Sequence, residues 1–456
     1  MTTTALPPGP KQPAMVQFAQ WILRPFEFME ECQRRFGDTF TWRITGFGNL
    51  LLTSAPELIR EIYAAPPETV YSGKANELLR PVLGNHSLIL LDGQEHLRER
   101  RLLLPPFHGE RMQAYTRVMR DATEDSMANW PKNQPFPLLP RTQAITLEVI
   151  LRAVFGLEES GQVAELAKRI VKMLEFNNPA LAYAPEFLRK DVPLSPMRRF
   201  YRLRRAVDEL IYALIAERRS KSTEGRTDIL SLLLSAKDEA GQPMTDEELR
   251  DELVTLLLAG HETTASALAW VVERLLTHPE ALQKVRTELD AVLGGGRFEP
   301  SHLPKLEYLD AVIKETLRLR PVLPLTARIV VGDFSLGGRP IPKGTYLMSN
   351  IYLAHRRSQV YPEPEKFKPE RFVGNRPDPY AWLPFGGGVR RCIGMAFAQT
   401  EMKVVLATML SQVDLKLTHA EGERAVRRAV IFVPRKGTEV VITGPRERTA
   451  PLRAAG

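Results

Sequence analysis

The stretch 245–277 constrains the fold of this chain more than any other. It opens Thr245-Asp246-Glu247-Glu248, a capping box in which threonine and glutamate satisfy the first free amides of a helix. Helical periodicity then continues until His278-Pro279 stops it. At about 1.5 Å per residue this makes a rod of roughly 48 Å, long enough to cross a whole domain. Its first turns are acidic, whereas 253–259 is apolar almost all round, the mark of a buried central helix. The middle is then interrupted by Ala259-Gly260-His261-Glu262-Thr263-Thr264. An acid and two hydroxyls are costly in such a place unless they are hydrogen-bonded. Two readings stand at this point. One is a local kink in which Thr263 bonds back to a carbonyl a turn earlier. The other is a set of polar groups placed for chemistry in a dry cavity.

Around that rod the pattern is mainly helical with small sheets. A helix is expected over about 15–35, a hairpin of strands at 38–43 and 49–53, and a helix over 56–65 with Pro56 in its first turn. Residues 71–92 carry Gly73, Pro81 and Gly84 without a clear period and read as a long loop. Helices dominate from 94 to about 320, including 279–293, closed by three glycines, and 306–319, stopped by Pro321. Residues 326–350 alternate as a small sheet with Gly337-Gly338 as a hairpin. A helix resumes over 395–412, and short strands are expected near 428–433 and 438–442. The division expected is a proline-rich segment at 1–13, one domain over 14–445 and a tail at 446–456.

Cysteine usage narrows the chemistry. Only Cys32 and Cys392 occur, which argues for a reducing compartment without a disulfide framework. Cys392 lies in Phe385-Gly386-Gly387-Gly388-Val389-Arg390-Arg391-Cys392-Ile393-Gly394, just before an apolar helix. Glycines remove side chains where something must approach the backbone. Arginines and a helix N-terminus both favour thiolate over thiol. A thiolate with no second cysteine nearby is a poor zinc site and a good axial ligand for haem iron. A phosphate cradle is excluded, because no Gly-Lys-Ser/Thr follows the glycines. No histidines fall at zinc spacing, so His355 reads as structural and His261 as a helix residue.

The net charge is +8, with arginine runs at 198–205 and 424–428. Neither run matches a known nucleic-acid-binding motif, so nucleic acid is not indicated. Such runs are solvated faces or, beside the thiolate loop, a docking surface for an acidic electron-transfer partner. The N-terminus shows no secretory signal, and no apolar stretch is long enough for a membrane span, so a cytoplasmic protein is expected.

The pattern Phe-Gly-x-Gly-x-Arg-x-Cys-x-Gly closely resembles the haem-binding loop of the cytochromes P450. Other segments agree with that family over residues 7–442. The resemblance implies the P450 fold, mainly α with small β-sheets (α+β), with the long helix crossing a haem b. Cys392 would be the iron ligand, with Phe385, Gly386 and Gly394 shaping its loop. Ala259 and Gly260 would line the oxygen groove, Gly260 leaving room for dioxygen. Thr263 would hydrogen-bond the oxygen and Glu262 would relay protons to it. Glu315-Thr316-Leu317-Arg318, with Arg371, resembles the family's structural Glu–Arg–Arg triad. His96 and Arg100 resemble its propionate clamp, with His96 where many relatives carry tryptophan. Arg328 and Arg390 occupy the other propionate positions.

The activity implied is that of a haem-thiolate monooxygenase that hydroxylates or epoxidises a fatty acid, terpenoid or steroid. The pocket implied includes Leu256, Phe176, Val322, Leu323, Leu325, Val430 and Ile431, with Asn177, Asn178 and Tyr183 adding polarity. No flavin or nicotinamide fingerprint is present. Electrons are therefore expected from a ferredoxin and its reductase, or from a flavodoxin, serving a monomer. Two rivals remain. A peroxygenase or isomerase of the same family typically lacks the acid–alcohol pair, which is intact here. A non-catalytic haem-binding protein usually brings a signalling module, which is absent from the motifs read.

Overall fold

The computed structural model describes residues 6–107, 111–156, 161–175, 191, 195, 197–221 and 225–446. The chain begins with α1 (Ala14–Leu23) and α2 (Pro25–Phe36), then the hairpin β1 (Thr39–Ile44) and β2 (Gly48–Thr53). After α3 (Pro56–Ala64) come β3 (Val70–Tyr71), α4 (Arg80–Leu83), α5 (Gly93–Leu103), α6 (Arg111–Met127) and β4 (Phe136–Pro137). Then follow α7 (Leu138–Phe155), α8 (Gly161–Glu175), α9 (Arg198–Arg219), α10 (Ile229–Ser235), the long α11 (Asp246–Thr277), α12 (Pro279–Leu293) and α13 (Glu307–Leu319). Strands β5 (Leu325–Val330), β6 (Phe334–Leu336), β7 (Arg339–Ile341) and β8 (Tyr346–Asn350) precede the short α14 (Ile351–Ala354) and α15 (Met395–Gln412). The chain closes with β9 (Val413–Leu417), β10 (Ala425–Arg428), β11 (Ile431–Pro434) and β12 (Glu439–Pro445).

Three local expectations need correction. The helix expected over 15–35 is two helices, because Arg24 leaves the helical region ahead of Pro25, which starts α2. The segment 71–92 is no plain loop. It holds a 3₁₀ helix (Lys74–Leu79) and α4, and its order comes from side chains of α11 described below. The strand expected at 428–433 is a hairpin: Ala429 adopts φ 55, and Ala429-Val430 turns the chain from β10 into β11.

Helix α11 forms as its sequence requires. Thr245 Oγ1 accepts from the Glu248 amide, while the Glu248 carboxylate accepts from the Thr245 amide, completing the capping box. Between Leu249 and Glu273 the helix is buried at every position except 258, 259, 260, 262 and 263. Helix α7 packs along it, while α6, α13 and α15 complete the main apolar core. The N-terminal hairpin joins the later strands in a five-stranded sheet ordered β1-β2-β8-β5-β3, in which only β2 and β8 run parallel. That sheet fixes Arg328 of β5 close to the Cys392 loop. A core of its own, built on Ile59, Ile62, Tyr63, Val330 and Leu347, lies beneath it.

Candidate active site

The loop before α15 is shaped by hydrogen bonds and by one aromatic neighbour. The Cys392 amide donates to Phe385 O at 2.9 Å, closing the loop, and Gly386 N donates to Leu383 O at 2.9 Å. The glycines answer to a contact that sequence did not show. A Cβ on Gly387 would lie 2.4 Å from the Tyr63 ring, and one on Gly388, at φ +64, would lie 2.3 Å from Tyr63 O. Helix α3 therefore presses on this loop, and only glycine lets it. Gly386 and Gly394 have open space instead.

Cys392 is accessible, yet burial pushes its thiol above the ordinary range, against the Gly394 amide, Arg100 and Arg391, which pull it down. A group that is accessible and desolvated at once lies on the wall of an interior slot. The thiolate expected from arginines and a helix N-terminus is thus not preformed, and a metal must displace the proton on binding.

Beside the thiol lies a cluster of cations. His96 is 3 % exposed and burial lowers it to about 3, with Arg390, Arg100 and Arg328 adding repulsion. Burial likewise lowers Arg328 and Arg100, and it brings Arg390 to about 10 despite the nearby Asp92. Arg328 donates Nη1 to Ile62 O at 2.5 Å, while its buried Nη2 has no partner among the described residues. Arg390 is committed to protein: Nη1 to Leu88 O at 3.1 Å, and Nη2 to Leu91 O and to Asp92 at 2.5 Å. Three guanidiniums and a neutral imidazole around one carboxylate leave uncompensated positive charge and an orphaned donor. A flat ligand carrying two carboxylates, as haem b does, meets both needs.

Across the core, the unburied stretch of α11 holds the second group. Ala259 is exposed and Thr263 half-buried, with Thr263 Oγ1 donating to Ala259 O at 2.6 Å. The back-bond read as a kink is therefore present, and it leaves the hydroxyl lone pairs free. Glu262 points elsewhere. Gln143 Nε2 of α7 donates to both its carboxylate oxygens at 3.0 Å, and Arg428 Nη2 lies 3.8 Å away. His261 is buried against Thr146, its Nδ1 3.1 Å from the hydroxyl, and burial lowers its pKa. Gly260 also serves packing. A Cβ there would come 3.3 Å from Ile150 Cδ1, so the missing side chain lets α7 approach α11.

The triad is assembled and buried. Arg318 donates Nε to Glu315 Oε2 at 2.7 Å and Nη2 to Oε1 at 2.8 Å, and it also reaches His355 O and Pro364 O. Glu315 Oε1 also accepts from Arg371 Nε at 3.3 Å and from the Lys368 amide at 2.8 Å. His355 continues the network. Its Nε2 accepts from the Leu383 amide at 2.8 Å, which fixes Nδ1–H as donor to Arg318 O at 3.1 Å. The triad thereby reaches Leu383, whose carbonyl starts the cysteine loop.

Of the expected pocket residues, Leu256, Val322 and Ile431 are buried and Leu323 and Leu325 half-buried. Val430 stands 54 % exposed in the β10–β11 turn. Phe176, Asn177, Asn178 and Tyr183 lie outside the described residues. Asp92, Gln143 and Arg428 escaped the sequence reading as site residues, whereas His355, expected to be structural, sits in the buried network beneath the loop. Asp92 stands at the N-cap of α5, but its side chain makes no capping bond and accepts from the Ser72, Gly73 and Lys74 amides instead.

An accessible cysteine on a glycine loop, a cationic cradle and an acid–alcohol pair on a central helix define a haem-thiolate protein. The family model for cytochrome P450 matches residues 7–441, and the chain belongs to that family. A Mycobacterium tuberculosis protein provisionally named cytochrome P450 135B1 is 40% identical over 99% of this chain and 94% of its own length. Another from that organism, provisionally named cytochrome P450 137, is 38% identical over 89% of this chain and 83% of its own. Among solved structures, a retinoic acid-bound cyanobacterial CYP120A1 aligns at TM-score 0.83 and 26% identity, over 96% of this chain and 99% of that one. The haem domain of cytochrome P450DA has the same fold, at TM-score 0.84 and 24% identity, over 97% and 98% of the two chains. Family membership makes the chain a haem-thiolate monooxygenase in general terms. Among the described residues no helix is long and apolar enough to cross a membrane.

Proposed function

We propose that this monooxygenase hydroxylates or epoxidises a lipophilic substrate of the fatty acid, terpenoid or steroid class. Its electrons would come from a ferredoxin and its reductase, or a flavodoxin, to a cytoplasmic monomer. The observation that carries this reading is the bared patch of α11: between Leu249 and Glu273 the helix is uncovered only at 258–260 and 262–263, where the acid–alcohol pair sits. Leu258 lies in that patch, the half-buried Leu323 packs on the same apolar core, and a structural neighbour was solved with retinoic acid bound.

Haem b, held by Cys392 and by the cradle of His96, Arg100, Arg328 and Arg390, supplies reductive activation of dioxygen with donation from the thiolate. The chain's own residues do the rest. The cradle neutralises two carboxylates, the Gly394 amide donates to the sulfur, and Thr263 offers a hydroxyl to whatever occupies the slot. Glu262, solvent-connected beside the exposed Arg428, takes up protons and passes them to Thr263 once it leaves Gln143. Tight cover elsewhere on α11 keeps out bulk water.

Cys392→Ser tests the core of this reading. The variant should lose the carbon monoxide difference band of a thiolate-ligated haem; a retained band defeats the assignment of Cys392. Spectral-shift titration of the ferric protein with fatty acids, terpenoids and steroids then selects the substrate class. Product formation with peroxide alone, as fast as with ferredoxin and reductase, would favour the peroxygenase reading.

A further inference from the structure

The first half of α11 carries a second buried acid. Glu252 is 0 % exposed, on the same helix as Glu262 and well ahead of it. Its Oε1 accepts from the Leu88 amide at 2.6 Å, and its Oε2 has no partner. On α5, Glu99 is 2 % exposed, takes Arg98 on Oε1, and likewise leaves Oε2 unpartnered. Each lone oxygen is enclosed, and Arg98 ties α5 to α11 beside them, its Nη1 donating both to Glu99 Oε1 and to Glu248 Oε1, one helical turn ahead of Glu252. Two carboxylates cannot both stay ionised in such a place without a donor between their free oxygens. A single proton, held directly or through one buried water, satisfies both.

Leu88 gives the pair its reach. Its amide is held by Glu252, and its carbonyl accepts from Arg390 Nη1, two residues before Cys392. Flanking bonds support the same seam: the His86 amide donates to Asp251 at 2.8 Å, and Thr255 donates to Ser87 at 2.8 Å. The segment 84–91 is thus stitched to α11 on one side and to the cradle on the other. Glu99 adjoins Arg100 of the same cradle in sequence.

We propose that Glu252 is a positioning residue for the haem cradle, sharing one proton with Glu99 and acting on Arg390 through Leu88. Helices α5 and α11 are held together while that proton is present and are pushed apart when it is lost. The charged groups facing the pair are Arg98, Glu248 and Asp238 on the Glu99 side, and Asp251 and Glu248 on the Glu252 side. Only Arg98 among them is a cation, and it is already shared with Asp238 and Glu248. Burial and the acidic neighbours raise Glu99 to about 7 and Glu252 well above the usual carboxylate range. Folded-state values above the unfolded ones mean that the native form keeps protons the unfolded chain gives up. The stabilisation is full at acid pH and is lost as pH rises through neutrality.

The test compares wild type, Glu252→Gln and Glu252→Leu. Glutamine keeps the acceptor for Leu88 and offers Glu99 a permanent donor. It should melt with wild type near about pH 5.5 and above it near about pH 8.5. Leucine removes the acceptor, so haem transfer to apomyoglobin should quicken at least several-fold at both pH values, and glutamine should restore the wild-type rate. A wild-type-minus-glutamine difference that stays constant with pH overturns the shared proton. Haem held by the leucine variant as firmly as by wild type overturns the positioning role. The inference rests on the haem reading only for the transfer measurement. The melting difference is independent of that reading, so the two can fail separately.

Discussion

Two carboxylates in this molecule are equally buried and opposite in circumstance. Glu315, beneath the cysteine loop, receives a bidentate Arg318, Arg371 and the Lys368 amide. Glu252, at the junction of α5 and α11, receives one amide and faces another acid. Fuller pairing makes the first a lock, because both oxygens are engaged and both arginines are tied to further carbonyls. Half-pairing makes the second a site whose stability depends on a proton. The pairing at Glu315 therefore needs no proton, whereas the seam between α5 and α11 depends on one.

The largest effect should come from breaking the lock. Arg318→Leu removes both bonds to Glu315 and three to carbonyls of the chain between α14 and the cysteine loop. It leaves an uncompensated buried carboxylate, at about 3–5 kcal/mol. Urea unfolding should show that loss, or no folded haem protein should be recovered. A variant within about 1 kcal/mol of wild type would mean that Arg371 and the Lys368 amide suffice, and the contrast with Glu252 would fall.

Why the first region was legible and the second was not follows from spacing. Glu315 and Arg318 share a helix face, Arg371 sits in its own short motif, and Cys392 is framed by glycines, so local pattern carried them. The long helix, with its capping box and bared Glu262-Thr263 patch, was equally local. Asp92, Gln143 and His355 gain their meaning from partners far along the chain, at Ser72–Lys74, Glu262 and Leu383, which no local period reports. The close approach that Gly387 and Gly388 allow is that of Tyr63 of α3, a partner no local pattern names. Arg250-Asp251-Glu252 within an apolar helix was a visible signal, since three charges there require partners. The strand misread over 428–433 failed because Ala429 takes a left-handed turn that its residue type does not announce.

Acid should strike the proximal network at a different point. His355 is fully buried, and burial, reinforced by Arg318 and Arg356, lowers it to about 3. A histidine lowered in the native state is protonated more readily when unfolded. Stability is full above the unfolded value of about 6.5 and falls as pH drops towards the folded one. Between about pH 6.5 and pH 4.5 this one group removes about 2–3 kcal/mol. His96 and His261 lean the same way, so the acid limb of the wild-type melting profile should be steep. His355→Gln should lower stability at neutral pH by about 1–3 kcal/mol, through a poorer fit to the Leu383 amide, and flatten that limb. An unchanged slope would remove His355 from the account.

The smallest effect tests how complete the pairing at Glu315 is. Arg371 is the outer partner, at 3.3 Å where Arg318 is at 2.7 and 2.8 Å, and its side chain is 14% exposed against 0%. Arg371→Lys keeps a positive charge beside Glu315 but loses the fork that also binds Glu363 O. Because water reaches this position and Arg318 still binds both carboxylate oxygens, the cost should be about 1 kcal/mol. The carbon monoxide difference band should stay intact. A loss as large as that of Arg318→Leu would show the lock to be a single cooperative unit in which the outer arginine counts as much as the inner. The ranking by burial and bond length would then be wrong, and the proximal region would be as sensitive to one missing partner as the Glu252 seam is to one missing proton.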